Sequence, residues 1–248
     1  MELLKAKNIS HRYSEKNVIE NVSLSLCEGE IVAILGVSGA GKTTLFQILS
    51  GLISPTEGSV TLRDKDITGK SGLLSYMLQK DLLLEHKTIE DNVALPLILS
   101  GESKDSARKK VREHFSEFGI DGCEKKYPAE LSGGMRQRAA LLRTYMCGNE
   151  VALLDEPFSA LDAITRTKLH YWYLNLIKKE GHGQSMSSVI FITHDIDEAI
   201  FLADRVLIMS QKPGTITAEY ETPKRSATKD YLLSDEVIEL KRQILKSL

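Results

Sequence analysis

Four short apolar runs punctuate the chain: Ile31-Val-Ala-Ile-Leu35, Val151-Ala-Leu-Leu154, Val189-Ile-Phe-Ile-Thr193 and Val206-Leu-Ile-Met209. They are continuous rather than alternating, which predicts strands covered on both faces. Helical patterns lie between them, so a mostly parallel α/β sheet is expected. The N-terminal third differs. Residues 3–9, 18–26 and 59–62 read as strands separated by short turns, and predict an antiparallel β-lobe beside the α/β core. From about residue 80 to 150 the pattern turns helical. Residues 103–118 are charged with apolar positions at helical spacing, and Ser132 opens a second long helix. This stretch is expected as a helical subdomain inserted within a single domain spanning residues 1–248. In the tail, Lys212-Pro-Gly-Thr215 predicts a turn. Residues 235–245 predict an amphipathic helix packed on the core, with a partner contact as the alternative.

Composition narrows the function classes. The chain has 248 residues, with 32 Lys plus Arg against 34 Asp plus Glu and a formal net charge of -2. That balance argues against a general nucleic-acid binder, which needs a basic surface. Cys27, Cys123 and Cys147 are far apart and form no CxxC pair, so they suggest neither a zinc site nor a disulfide framework. They read as three buried small apolar residues in a reducing cytosol. The N-terminus lacks the long apolar stretch of a signal peptide. The strongest apolar run, residues 93–99, is far shorter than the ~18 residues a spanning helix needs. A soluble chain is expected, with any membrane role exercised through a partner.

Two motifs carry chemistry. Gly36-Val-Ser-Gly-Ala-Gly-Lys-Thr43 fits G-x-x-x-x-G-K-[ST], with a strand before it and a helix after it. Glycines let consecutive backbone N–H groups converge on phosphate oxygens, and the helix N-terminus adds partial positive charge. Gly36, Val37, Ser38, Gly39, Ala40, Gly41, Lys42, Thr43 and Thr44 are therefore expected around the phosphates of a nucleotide, which the resemblance stated below implies is ATP. Lys42 should reach the β- and γ-phosphates, and the Thr43 hydroxyl should bind Mg²⁺. The alternative is a chance glycine-rich turn. The second motif is an apolar strand ending in Asp155 and Glu156. In open α/β sheets ligands bind at the carboxyl ends of strands. Asp155 is placed to hold Mg²⁺, and Glu156 to take a proton from an attacking water. A solvated strand end is the bland alternative.

These two motifs alone fit kinases and GTPases as well. The next one narrows the field: Leu131-Ser-Gly-Gly-Met-Arg-Gln-Arg138 resembles the signature of ATP-binding cassette (ABC) ATPases. Other elements similar to that family follow its order. Tyr13 lies where the family carries an aromatic that stacks on adenine. Gln79 lies at its Q-loop, after an expected strand at 73–78. Ser159-Ala-Leu-Asp162 resembles its D-loop, and His194 its switch histidine. Tyr13 could instead be a half-buried aromatic of the β-lobe, Gln79 a turn residue, and Asp162 or Ser132 a helix cap. His194 could be a satisfied strand-end histidine.

The resemblance implies a phosphate-loop NTPase core and hydrolysis of ATP with Mg²⁺ held by Thr43, Gln79 and Asp155. Glu156, His194 and Lys42 would be the catalytic set. Ser132, Gly133, Gly134 and Asp162 would contact ATP bound by a second copy, so a homodimer is implied. Further implied partners are transmembrane permease subunits and, indirectly, an extracytoplasmic solute-binding protein. The location implied is the cytoplasmic face of the cell membrane, and no nucleic acid is implied. The segment 81–99 would seat a permease helix, or serve as internal packing. The signature and Lys212-Pro-Gly-Thr-Ile216 look most like the import subgroup for nitrate, sulfonate, taurine and thiamine precursors. An exporter or mechanical-coupling ATPase shares the same parts. A repair ATPase would carry a long coiled coil before the signature, a ribosomal one would carry two cassettes, and a kinase would leave the signature and His194 unexplained.

Overall fold

The computed structural model describes residues 1–159, 163–178, 188–211, 213–223 and 231–248. In chain order the strands are β1 (Glu2–Tyr13), β2 (Lys16–Cys27), β3 (Ile31–Leu35), β4 (Glu57–Leu62), β5 (Lys65–Asp66), β6 (Ser75–Met77), β7 (Val151–Asp155), β8 (Ser188–Thr193), β9 (Arg205–Met209) and β10 (Ile216–Glu221). The α-helices are α1 (Lys42–Leu49), α2 (Ile89–Val93), α3 (Leu95–Leu99), α4 (Lys104–Phe115), α5 (Gly133–Tyr145), α6 (Ala163–Lys178), α7 (Ile196–Leu202) and α8 (Asp235–Ser247).

Two sheets form. One is antiparallel in the order β2-β1-β4-β5; the other runs β10-β9-β3-β8-β7-β6, parallel except for its β10 edge. The continuous apolar runs sort cleanly by face. Ala33, Leu154, Phe191 and Ile208 face one core, built with the helices. Ile34, Leu153, Ile192 and Leu207 face the other, shared with α1 and the antiparallel sheet. Burial on both faces is why these strands show no polar alternation.

The expected architecture is present, with differences at the strand ends. β1 and β2 run past the expected 3–9 and 18–26, because register shifts carry the pairing across polar stretches on to Tyr13 and Lys16. Asn8 and Asn21 sit at positive φ near those irregularities. The helix expected over 103–118 ends its α-helical part at Phe115, and Ser103 caps it through the Ser106 N–H. β10 escapes the apolar-run criterion: it is an edge strand whose residues alternate between half-buried and exposed.

Between β6 and β7 the chain is helical, through α2 to α5. Buried Glu90 anchors this region, facing Arg112 and lying 3.4 Å from Lys125. The tail helix packs on the core as expected. Val237, Leu240 and Ile244 form its buried stripe, each contributing about 1.5–3 kcal/mol by burial. Lys241 also pairs with Asp197 of α7 at 2.7 Å. Lys212 of the expected tail turn lies outside the described residues. Of the three cysteines expected to be buried only Cys123 is; Cys27, at the end of β2, is half-buried and Cys147, in the turn after α5, is exposed. Among those described, no helix is long and apolar enough to cross a membrane.

Candidate functional site

Four adjacent parallel strands deliver the site. In the order β3-β8-β7-β6, their carboxyl ends are followed by Gly36, His194, Glu156 and, two residues on, Gln79. The register aligns these ends, pairing Leu35 with Thr193, Ile192 with Asp155 and Leu154 with Met77. Residues spread over more than 150 positions of sequence thus meet along one sheet edge.

The phosphate loop is shaped by what glycine permits. A Cβ at Gly36 would stand 2.4 Å from the Met209 carbonyl oxygen, so the loop could not pass that close to β9 with a side chain. Gly41 caps α1 at φ +93, and a Cβ there would come within 3.0 Å of the Val18 carbonyl. The first turn of α1 carries no acid, whereas α2, α4, α7 and α8 all open with one or more. Acids offset the positive end of a helix, so α1 leaves its own end available to an anion.

Lys42 is buried and folds back, donating to the Gly36 carbonyl at 2.6 Å and the Val37 carbonyl at 2.9 Å. Burial lowers the pKa of its ammonium, an effect opposed by Glu156 and Asp155. Asp155 is 3% exposed. Its Oδ2 accepts from the Thr43 hydroxyl at 3.1 Å and the Tyr76 hydroxyl at 3.5 Å. Burial raises the Asp155 pKa, opposed by the Thr43 bond and reinforced by Glu156. A desolvated carboxylate beside a hydroxyl is an oxygen-donor pair suited to a hard cation. Among the described residues no group of three or more His, Cys, Asp or Glu forms a metal cluster. Mg²⁺ needs none, since it takes few protein ligands and completes its shell with water and phosphate.

Glu156 sits at φ +47, which a non-glycine residue rarely adopts. Its Oε2 accepts from Gln79 Nε2 at 3.0 Å and lies 3.6 Å from His194 Nδ1. Together with Val18, Ser38, Gly39, Gly41, Thr44 and Ile192, the residues Lys42, Thr43, Gln79 and Glu156 line a cavity of about 380 Å³. That volume falls within the usual range for a small-molecule site.

Other sequence-predicted residues lie away from this cavity. Tyr13, at the end of β1, is half-exposed, with its ring edge-on to His11 at 4.7 Å. Ser132 caps α5 by accepting from the Met135 N–H at 3.4 Å, so the capping role is real. Ser132 and Gly133 are exposed, Gly134 is partly so, and the first turn of α5 is also free of acid. Asp162 lies outside the described residues. Two contacts were not readable from motifs: the Tyr76 hydroxyl on Asp155, and buried Gln137 donating to the Pro157 carbonyl just after Glu156. The second ties the signature helix to the β7 loop.

Arg143 of the same helix donates to the carbonyls of Asp81 and Leu82, and Arg136 pairs with Asp81 at 3.2 Å. Asn92 binds the other end of this loop through the Leu84 N–H and carbonyl. The segment after Gln79 is therefore pinned to the helical region.

The sequence matches the ABC transporter family over residues 19–159. It is 41% identical over 223 residues to the formylaminopyrimidine import ATP-binding protein ThiZ of Halalkalibacterium halodurans, covering 90% of this chain and 85% of that protein. It is 40% identical over 211 residues to the aliphatic sulfonates import ATP-binding protein SsuB of Bacillus cereus, covering 85% and 81%. The fold is similar to a dimeric post-hydrolysis ATP-binding cassette bound to ADP and Pi. The TM-score is 0.75 at 29% identity, over 90% of this chain and 100% of that one.

Proposed function

The chain belongs to the ABC transporter ATPase family, and from that premise we propose that two copies of it bind and hydrolyse ATP to drive import of a small solute through membrane permease subunits. The observation that carries the reading is the convergence of Lys42, Thr43, Asp155, Gln79, Glu156 and His194 on one sheet edge around the phosphate loop.

The polar groups of the site are partnered within the chain. Lys42 satisfies its ammonium on loop carbonyls, and bound β- and γ-phosphates would exchange those bonds for charge-assisted ones. Backbone N–H groups of residues 37–44 face the phosphates at the open end of α1. Thr43 and Asp155 would hold Mg²⁺, with Gln79 reaching it through its amide oxygen, and when bound it would supply positive charge against the phosphate oxygens. Glu156 accepts a proton from water as the water oxygen bonds to the γ-phosphorus. The bond to the bridging oxygen breaks, leaving ADP and inorganic phosphate. His194 donates to the γ-phosphate oxygens and keeps Glu156 and the water in line.

The second half of the site comes from another copy. Ser132, Gly133 and Gly134 present a second helix N-terminus with no acid in its first turn, Ser132 and Gly133 being exposed; Lys80 and Asp81 border the same groove, where Asp81 is already paired with Arg136. Facing the γ-phosphate of a partner copy gives it an anion to bind, and Asp162 is proposed to line the same contact. Tyr13 stacks on adenine. The helical segment from α2 to α5 acts as the moving lobe, with Gln79 at its hinge. On this reading the chain works at the cytoplasmic face of the membrane and receives solute from an external binding protein. The similarity to ThiZ and SsuB favours a thiamine-precursor or sulfonate-type solute. Co-purification tests it: permease subunits should accompany the chain, and candidate solutes should stimulate ATPase activity in that complex. Full ATPase activity unresponsive to every permease partner would contradict the import role.

A further inference from the structure

His194 carries a side chain that is 57% exposed, so little packing fixes its direction and its backbone must do so. That backbone is tied on both sides. Thr193 Oγ1 accepts from the Asp195 N–H at 3.0 Å, spanning His194, and donates to Glu198 Oε2 at 2.6 Å. Asp195 caps α7 by accepting from the Glu198 N–H at 3.1 Å, and its other oxygen accepts from Arg166 at 3.1 Å. Glu198 is 5% exposed, and its Oε1 lies 3.5 Å from Nε2 of His170, itself 8% exposed. The His170 ring stands edge-on to Phe158 at 4.9 Å, two residues beyond Glu156. Residues 189–192 of β8 are all apolar, so the Thr193 hydroxyl is the departure. A buried carboxylate is costly unless partners hold it; here the Thr193 hydroxyl holds one oxygen, and the other faces His170 of α6 at 3.5 Å without a hydrogen bond.

We propose that Thr193, Glu198 and His170 are positioning residues that fix the segment carrying His194 relative to the segment carrying Glu156. Thr193 and Glu198 set the His194 backbone, while His170 links that pair to the loop after Glu156 through Phe158. None of the three lines the phosphate cavity, so they act on the rate of the chemical step and not on the grip on ATP. The inference rests on the reading of Glu156 and His194 as the groups that act at the γ-phosphate.

The test is steady-state hydrolysis beside equilibrium ATP titration, on the full chain. Thr193→Val keeps the side-chain shape and should lower kcat about tenfold while the Kd for ATP stays within about twofold, since small misplacements cost rate rather than affinity. Thr193→Ser, which restores the hydroxyl, should return at least about half the native kcat. Glu198→Gln should lower kcat in the same sense, and the double variant should be no worse than the poorer single, because both break one network. Thermal unfolding identifies any variant that fails to fold, and Glu198→Gln then carries the test. Native kcat in Thr193→Val and Glu198→Gln, equal loss in the Val and Ser variants, or ATP affinity falling in step with kcat would each overturn the proposal. His194→Ala run in parallel separates the two levels. If it hydrolyses ATP at the native rate, the catalytic reading itself fails. If it is dead while Thr193→Val is native, only the positioning role falls.

Discussion

The N-termini of α1 and α5 are built alike and furnished differently. Each opens with glycine nearby, neither has an acid in its first turn, and both leave backbone N–H groups for an anion. The α1 end is surrounded by its own chemistry: buried Lys42, the Thr43–Asp155 pair, and Glu156 held by Gln79. The α5 end has a capping serine and an exposed glycine, and the groove beside Gly133 is bordered by Gln79, Lys80 and Asp81, with Asp81 paired to Arg136. The difference teaches that a helix N-terminus alone decides little: the α1 end carries the buried lysine and carboxylate that suit a nucleotide, whereas the α5 end is already capped by Ser132 and takes on its proposed role only with a ligand from outside the chain. On our reading that ligand is ATP on a second copy.

The largest expected effect lies at the furnished end. Glu156→Gln should cost about 100-fold or more in kcat, the usual scale for a lost general base, while ATP affinity is preserved and a nucleotide-bound dimer accumulates. Turnover near the native rate would remove the base from the scheme. Lys42→Ala should raise the Kd for ATP about 10- to 100-fold, as expected when charged hydrogen bonds are lost. An unchanged affinity in calorimetry would mean that α1 binds through its backbone alone, which would make the two ends more alike than we argue.

Asp155→Asn sharpens the comparison through pH. The folded-state pKa of Asp155 is raised above its ordinary 3.8 by burial, so the ionised form costs stability in the nucleotide-free protein. Below the unfolded value both states are protonated and there is no penalty. As pH rises through the raised folded value, the penalty becomes complete. At neutral pH the asparagine variant should therefore melt no lower than the native chain without ligand, yet gain less from ATP with Mg²⁺. A variant that gained as much would show that Asp155 does not hold the ion. The smallest effect is expected at Tyr13, where Tyr13→Ala should raise the KM for ATP about fivefold with little change in kcat, the scale of one aromatic contact. A fall in kcat alone would place Tyr13 outside the adenine site.

Much of the furnished end was legible in sequence, because its parts are contiguous. The run 36–43 and the pair Asp155–Glu156 follow apolar strands directly, and strand ends are where an open sheet gathers its ligands. Gln79, Ser132 and His194 were reached through family resemblance, since one glutamine, serine or histidine carries little signal alone. The Thr193–Glu198–His170 set was invisible, as its members come from β8, α7 and α6 and meet only in the folded chain. Tyr76 was missed for the same reason: its hydroxyl depends on β6 lying beside β7. β10 was missed because a half-covered edge strand has no apolar run to betray it.

The central claim, that α5 of one copy completes the site on α1 of another, is tested most directly by Ser132→Arg, with ATP affinity and hydrolysis measured on the same preparation. We predict native Kd for ATP, because α1 is untouched, together with loss of both dimerisation and hydrolysis. A variant that hydrolyses ATP at the native rate would contradict the two-copy site.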